Sequence, residues 1–276
     1  MIEDPRGRID YDESGPASDF GPTLVLVPGS CSTGAAWRPV MAGWNGAFRC
    51  VTTSLLGYGG TAERRTSSDP SIAHVADALE TVIRRAGGPV HLVGHSFGGL
   101  VSLIVALRKE APLASLTILE APALELLRAV GEDEHYGAFR KMTDRYFAAF
   151  EGGDREAVAA MIDFYGGAGT YASWPQRVRD YAIETTHVNI VDWTSARGFP
   201  LTTAALASME VPTLVMTGTA SHPAPRRANE LLGQHIPGAQ FTLIEGAAHF
   251  MIATHAGEIA RRIAEHVRST EAGAGG

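Results

Sequence analysis

Cysteine is scarce in this chain. Cys31 and Cys50 are the two among 276 residues, too few for a disulfide framework. Cys50 sits in an apolar strand pattern and is expected to be a buried thiol. Positive charge is also short, with 23 Lys and Arg against 30 Asp and Glu and a formal charge of −7. That balance argues against nucleic acid or an anionic membrane surface as partner. No uninterrupted apolar run approaches the roughly 20 residues that span a bilayer. The opening MIEDPRGRIDYDESG lacks the apolar core of a signal peptide, so a cytoplasmic location is expected. Zinc-ligand spacing, a phosphate loop and internal repeats are missing too, and no metal or cofactor is expected. What remains is a chain of 45% hydrophobic and 19% charged residues. This is ordinary globular composition, at a length that suits one domain or one domain with an insertion.

The most informative stretch is Val90–Leu100, VHLVGHSFGGL. An apolar run ends in Gly94-His95-Ser96-Phe97-Gly98, and a long apolar helix pattern follows. Gly-x-Ser-x-Gly between a strand and a helix is a nucleophile elbow. The turn forces Ser96 into a strained conformation with its hydroxyl exposed. Gly94 and Gly98 are required because a Cβ at either would meet a neighbouring strand or helix. The Phe97 N–H, at a helix N-terminus, can point at a developing oxyanion.

In these features the sequence resembles the α/β-hydrolase superfamily over nearly its whole length. The resemblance implies a mostly parallel, eight-stranded-type sheet flanked by helices, with an inserted helical cap. Residues 1–121 and 210–276 would form the core and 122–209 the cap. Residues 1–22 read as a hairpin edge, strand-like over Arg8–Asp12 with a turn at Ser14-Gly15-Pro16. Thr23–Val27, Phe48–Thr53, Ser115–Leu119, Val211–Thr217 and Gln240–Glu245 read as strands. Asp69–Gly88 reads as an amphipathic helix, with Asp69 as N-cap and Pro70 at N1. Phe97–Arg108 reads as a helix apolar nearly all round. Thr254–Val267 reads as the last helix, before a loose tail over 269–276. Between Pro122 and Met209 the patterns are helical: Ala123–Val130, Gly137–Phe150, Arg155–Phe164 and Pro175–Val191. In the family, the strand corresponding to Thr23–Val27 ends in a loop that supplies the second oxyanion amide. Here the loop is Pro28-Gly29-Ser30-Cys31, which makes Ser30 N–H the implied donor, with Cys31 second. The family often has an Asp at the head of the glycine loop Leu55–Thr61, where Ser54 and Leu55 stand here.

A serine hydroxyl needs a base. His249 lies after the last strand, where the family carries its catalytic histidine, and the order Ser…acid…His fits. His95, His91, His187 and His222 compete less well by position. The family's usual acid follows the strand after the cap, as Gly-x-x-Asp. Here that stretch is Gly218-Thr219-Ala220-Ser221, and a serine cannot stabilise an imidazolium by charge. Glu120, at the end of the strand beside the elbow, is the natural substitute. Certain haloalkane dehalogenases and the fungal zearalenone lactonases use this position, the latter with a serine nucleophile. Asp192 from the cap, or no acid at all, are the alternatives.

The expected chemistry is two-step acyl transfer. Ser96 attacks a carbonyl, His249 moves the proton, Glu120 orients His249, and the amides of Ser30 and Phe97 hold the oxyanion. The cap is rich in aromatics, and Cys31, Trp174, Trp193 and Phe250 are candidate pocket residues. A small or medium apolar ester or lactone is the expected substrate. One alternative is carbon–carbon hydrolysis of a ring-cleavage diketone, with Arg177 or Arg179 holding a carboxylate. The other is a non-catalytic ligand-binding homologue.

Overall fold

The computed structural model describes residues 1–16 and 21–274. Their strands are β1 (Asp12–Ser14), β2 (Thr23–Val27), β3 (Arg49–Thr52), β4 (Val90–His95), β5 (Leu113–Leu119), β6 (Thr213–Gly218) and β7 (Gln240–Ile244). They form one sheet in the order β1-β3-β2-β4-β5-β6-β7. β1 runs antiparallel to β3, and all other pairs are parallel. The sheet thus has seven strands among the described residues, against the eight-stranded type expected. The N-terminal edge also differs. Arg8–Asp12 contributes an isolated Ile2–Ile9 bridge, and the strand itself starts at Asp12. The expected turn at Ser14-Gly15-Pro16 leads into residues 17–20, outside the described residues.

Side chains alternate across the sheet as strand geometry requires. Val25 and Val27 enter one core, Leu24 and Leu26 the other. The first core is completed by helices Ala73–Ala86 and Phe97–Arg108, the second by Arg38–Ala42 and Ala256–Ala274. Each fully buried Val, Leu or Ile contributes about 1.5–3 kcal/mol, so a strand buried on both faces needs the unbroken apolar run that TLVLV supplies. Cys50 is buried in the second core, as expected.

The helix expected from Asp69 begins at Ala73 instead. The Asp69 amide donates back to the Thr66 carbonyl, and its carboxylate is held by His74 at 2.7 Å. Ser71 Oγ, not Asp69, accepts from the Ala73 N–H. The C-terminal helix runs on to Ala274 where a loose tail was expected. Ser269 and Thr270 bond the His266 carbonyl, and Glu271 reaches His91 at 3.1 Å. Residues 275–276 lie outside the described residues.

Between β5 and β6 stand seven helices and no strand among the described residues: Leu124–Ala129, Asp133–Glu151, Val158–Gly166, Thr170–Ser173, Gln176–Glu184, Thr186–Arg197 and Thr203–Ala207. The single pattern Pro175–Val191 divides at Thr185, whose hydroxyl bonds the Tyr181 carbonyl at 2.8 Å while the chain turns. Thr170–Ser173 and Thr203–Ala207 are too short to show periodicity. These helices share the first core with the sheet: Leu126, Phe139, Tyr146 and Trp193 join the cluster that contains Leu92 and Leu100. No helix among the described residues is long and apolar enough to cross a membrane.

Candidate active site

β4 ends at His95 and the next helix starts at Phe97, so Ser96 alone makes the turn. Its backbone is at φ 55° and ψ −127°, a conformation L-residues avoid at a cost of about 1–3 kcal/mol. Close packing enforces it. A Cβ on Gly98 would come within 2.2 Å of the Pro28 carbonyl oxygen, and one on Gly94 within 2.5 Å of the Gly98 carbonyl oxygen. Of the five non-glycine residues with positive φ among the described residues, three are Cys31, Ser96 and Glu120. Strain therefore gathers around one place.

That place is a line of hydrogen bonds. The Ser96 hydroxyl lies 3.0 Å from His249 Nε2, and His249 Nδ1 lies 2.8 Å from Glu120 Oε2. A carboxylate can only accept, so Nδ1 carries the proton and Nε2 offers its lone pair to Ser96. Glu120 is fully buried. Its other oxygen, Oε1, accepts from the Thr217 hydroxyl at 2.6 Å, from the Gly218 N–H at 2.9 Å and from the Ser221 hydroxyl. Burial alone would raise this carboxyl. The bond and charge of His249, with the Gly218 and Ser221 donors, overcome that and hold it down at about 2. The serine at the family's usual acid position is thus a hydrogen-bond donor to Glu120. Asp192, the alternative acid, is engaged elsewhere: it accepts from Ser30 Oγ at 2.5 Å, Tyr58 OH at 2.7 Å and Arg65 Nη1 at 2.7 Å.

His95 has a part its position did not suggest. Its Nε2–H donates to the His249 carbonyl at 2.8 Å, and the two rings lie 4.8 Å apart. Burial, and the neighbouring charge of His249, press its pKa down to about 3. It therefore stays neutral and braces the loop that carries His249. Tyr165 lies over the His249 ring at 4.0 Å. Of the other histidines, His91 is buried against Ser115, His222 stacks on Phe164, and His187 is exposed.

Ser96 and His249 line a cavity of about 840 Å³. Ser30, Phe97, Cys31, Trp174, Trp193 and Phe250 all line it as well. The Phe97 N–H is the first of its helix and has no intrahelical acceptor. Trp174 and Phe250 meet edge to face at 4.9 Å, joining the helical stretch to the His249 loop. Burial pushes the Cys31 thiol up to about 12, which disfavours its thiolate form. Arg177 lines the cavity, whereas Arg179 bonds Gln176 and sits over Tyr171. Sequence reasoning missed Tyr165, the Thr217 and Ser221 donors, and the contacts of Asp192. The hydroxyls clustered where an acid was expected were the one usable signal.

A model of the alpha/beta hydrolase family matches residues 24–262. The chain belongs to that family. Among its relatives is a pimeloyl-[acyl-carrier protein] methyl ester esterase of Aeromonas salmonicida, 24% identical over 85% of this chain and 91% of that one. Protein PHYLLO of Arabidopsis thaliana is 28% identical over 41% of this chain, which spans 7% of that protein's length. Est816, described as an N-acyl homoserine lactone degrading enzyme, superposes with a TM-score of 0.69 at 19% identity, covering 94% of this chain and 98% of its own. Among the described residues, no group of three or more His, Cys, Asp and Glu could hold a metal ion.

Proposed function

We propose that this family member is a serine hydrolase that cleaves a small-to-medium apolar carboxylic ester or lactone, with Ser96 as nucleophile. The observation that carries this reading is the unbroken Ser96–His249–Glu120 hydrogen-bond line at a mainly apolar cavity. His249 takes the Ser96 proton as Oγ attacks the carbonyl carbon. The oxyanion forms between the amides of Ser30 and Phe97. Glu120 holds the Nδ1–H tautomer and stabilises the imidazolium. His249 then gives the proton to the leaving alkoxide, and the acyl group stays on Ser96. Water, deprotonated by the same histidine, releases the acid.

Residues 122–209 act as a cap, with 1–121 and 210–276 as the catalytic core, and the cap's Trp174 and Trp193 bound the acyl pocket. The cytoplasm is the proposed location. The methyl ester esterase among the relatives supports an ester as the substrate. Arg177 on the cavity wall favours one second reading, carbon–carbon hydrolysis of a substrate whose carboxylate it would hold.

A fluorophosphonate probe tests the core of the proposal. The parent should label, and Ser96→Ala should not. Hydrolysis of p-nitrophenyl butyrate should vanish with the label, and an ester and lactone panel then ranks substrates. A parent that neither labels nor hydrolyses would mark the protein as a ligand-binding homologue.

A further inference from the structure

The loop that carries Ser30 packs closely on Ser96 and is strained at Cys31. A Cβ on Gly29 would stand 2.9 Å from Ser96 Cβ, and Cys31 on the other side of Ser30 is held at φ 56°. A strained loop persists only where its surroundings over-determine it. The Ser30 hydroxyl supplies a tether: it donates to Asp192 at 2.5 Å. Asp192 belongs not to the sheet but to helix Thr186–Arg197. Tyr58 fixes the same carboxylate oxygen at 2.7 Å, and Arg65 fixes the other at 2.7 Å. Arg65 also reaches Ser195 on the same helix at 3.3 Å, and Ser195 bonds the Pro70 carbonyl.

We propose, resting on the serine-hydrolase reading, that Asp192 is a positioning residue that completes the oxyanion hole from the cap by holding Ser30 in place. Its charge would oppose an oxyanion nearby, and the fully buried Arg65 guanidinium beside it cancels that field. The loop amide is then correctly aimed only while helix Thr186–Arg197 is docked. A cap that lifts would release Ser30 and disable the site, which ties turnover to a closed cavity.

The test compares the full-length parent with Ser30→Ala, Ser30→Thr and Asp192→Asn, using p-nitrophenyl butyrate kinetics, thermal melting and fluorophosphonate labelling. Removing a whole oxyanion donor costs about 10²–10³ in kcat, so a donor that is only mis-aimed should cost about 10-fold or more. Ser30→Ala is expected to lower kcat by that amount with KM within about threefold. Ser30→Thr keeps the hydroxyl and should recover most of the loss. Asp192→Asn placed on Ser30→Ala should add no further loss in kcat, because the contact is already gone. A Ser30→Ala enzyme with kcat within twofold of the parent overturns the proposal, as does an effect confined to KM. Should Asp192→Asn fail to fold, the Ser30 pair decides alone. A parent that does not label removes the serine-hydrolase reading itself, whereas a labelled parent with an unaffected Ser30→Ala removes only the positioning role.

Discussion

The two least exposed carboxylates among the described residues are built differently. Glu120, at the end of β5, is 0% exposed, and Asp192, in the helical stretch, is 2% exposed. Each is surrounded by hydroxyl donors: Thr217 and Ser221 for the first, Ser30 and Tyr58 for the second. The difference is the cation. Asp192 faces Arg65, a permanent charge. Burial would lower that guanidinium, but Asp192 and Glu63 override it and keep it charged. Glu120 faces His249, whose ring gains a full charge when it takes a proton. A carboxylate neutralised in advance is suited to holding structure. One whose countercharge appears during the reaction is suited to stabilising that moment.

The largest break in this comparison should come from Glu120→Gln. Loss of the acid removes the Nδ1–H acceptor charge, and kcat should fall by about 10³–10⁴-fold in a protein that remains folded. Placing Ser221→Asp on top of Glu120→Gln should recover at least about tenfold, because it returns a carboxylate to the family's usual acid position. In the parent, Ser221→Asp alone should not raise activity, since it sets a second carboxylate beside Glu120. Equal activity of parent and Glu120→Gln would remove Glu120 from the triad.

Asp192→Leu should show the opposite emphasis in equilibrium unfolding. It leaves the buried Arg65 without its buried partner, at a cost of about 3–5 kcal/mol. Little change in the denaturation midpoint would show that Glu63 suffices for Arg65.

The smallest effect expected is on acid stability. The Glu120 carboxyl is held below its ordinary range, so its contribution is complete above that range and is lost as pH falls toward about 2. Urea titrations between pH 5 and pH 2.5 should show a shallower decline for Glu120→Gln than for the parent. Parallel declines would mean that the native contacts do not favour the ionised form.

Legibility followed the range of the interactions. The Phe97–Arg108 helix and the β2 run were readable to the residue, because periodicity and the Gly94–Gly98 turn are local signals. The contact of Glu120 with His249 was readable too, through the missing Asp at 221. The start of the helix at Ala73 was not, because Asp69 was drawn into a turn with Thr66 and a pair with His74. The extension to Ala274 was missed; along it Glu271 meets His91, 180 residues away. His95 read as a bystander, since nothing local foretells that its ring meets the His249 carbonyl.

By itself, then, the order of residues determined the inner strands, the strained elbow at Ser96 and the identity of the groups able to form the Ser96–His249–Glu120 hydrogen-bond line. These follow from steric rules and from apolar patterning over a few neighbouring residues. Only the tertiary structure decided which hydroxyls turn toward Glu120, that Asp192 serves Arg65 and Ser30 instead of His249, and which aromatics face the cavity. Those outcomes depend on burial: far-apart residues meet where water is excluded, and each buried polar group must take whatever partner the packing brings within reach.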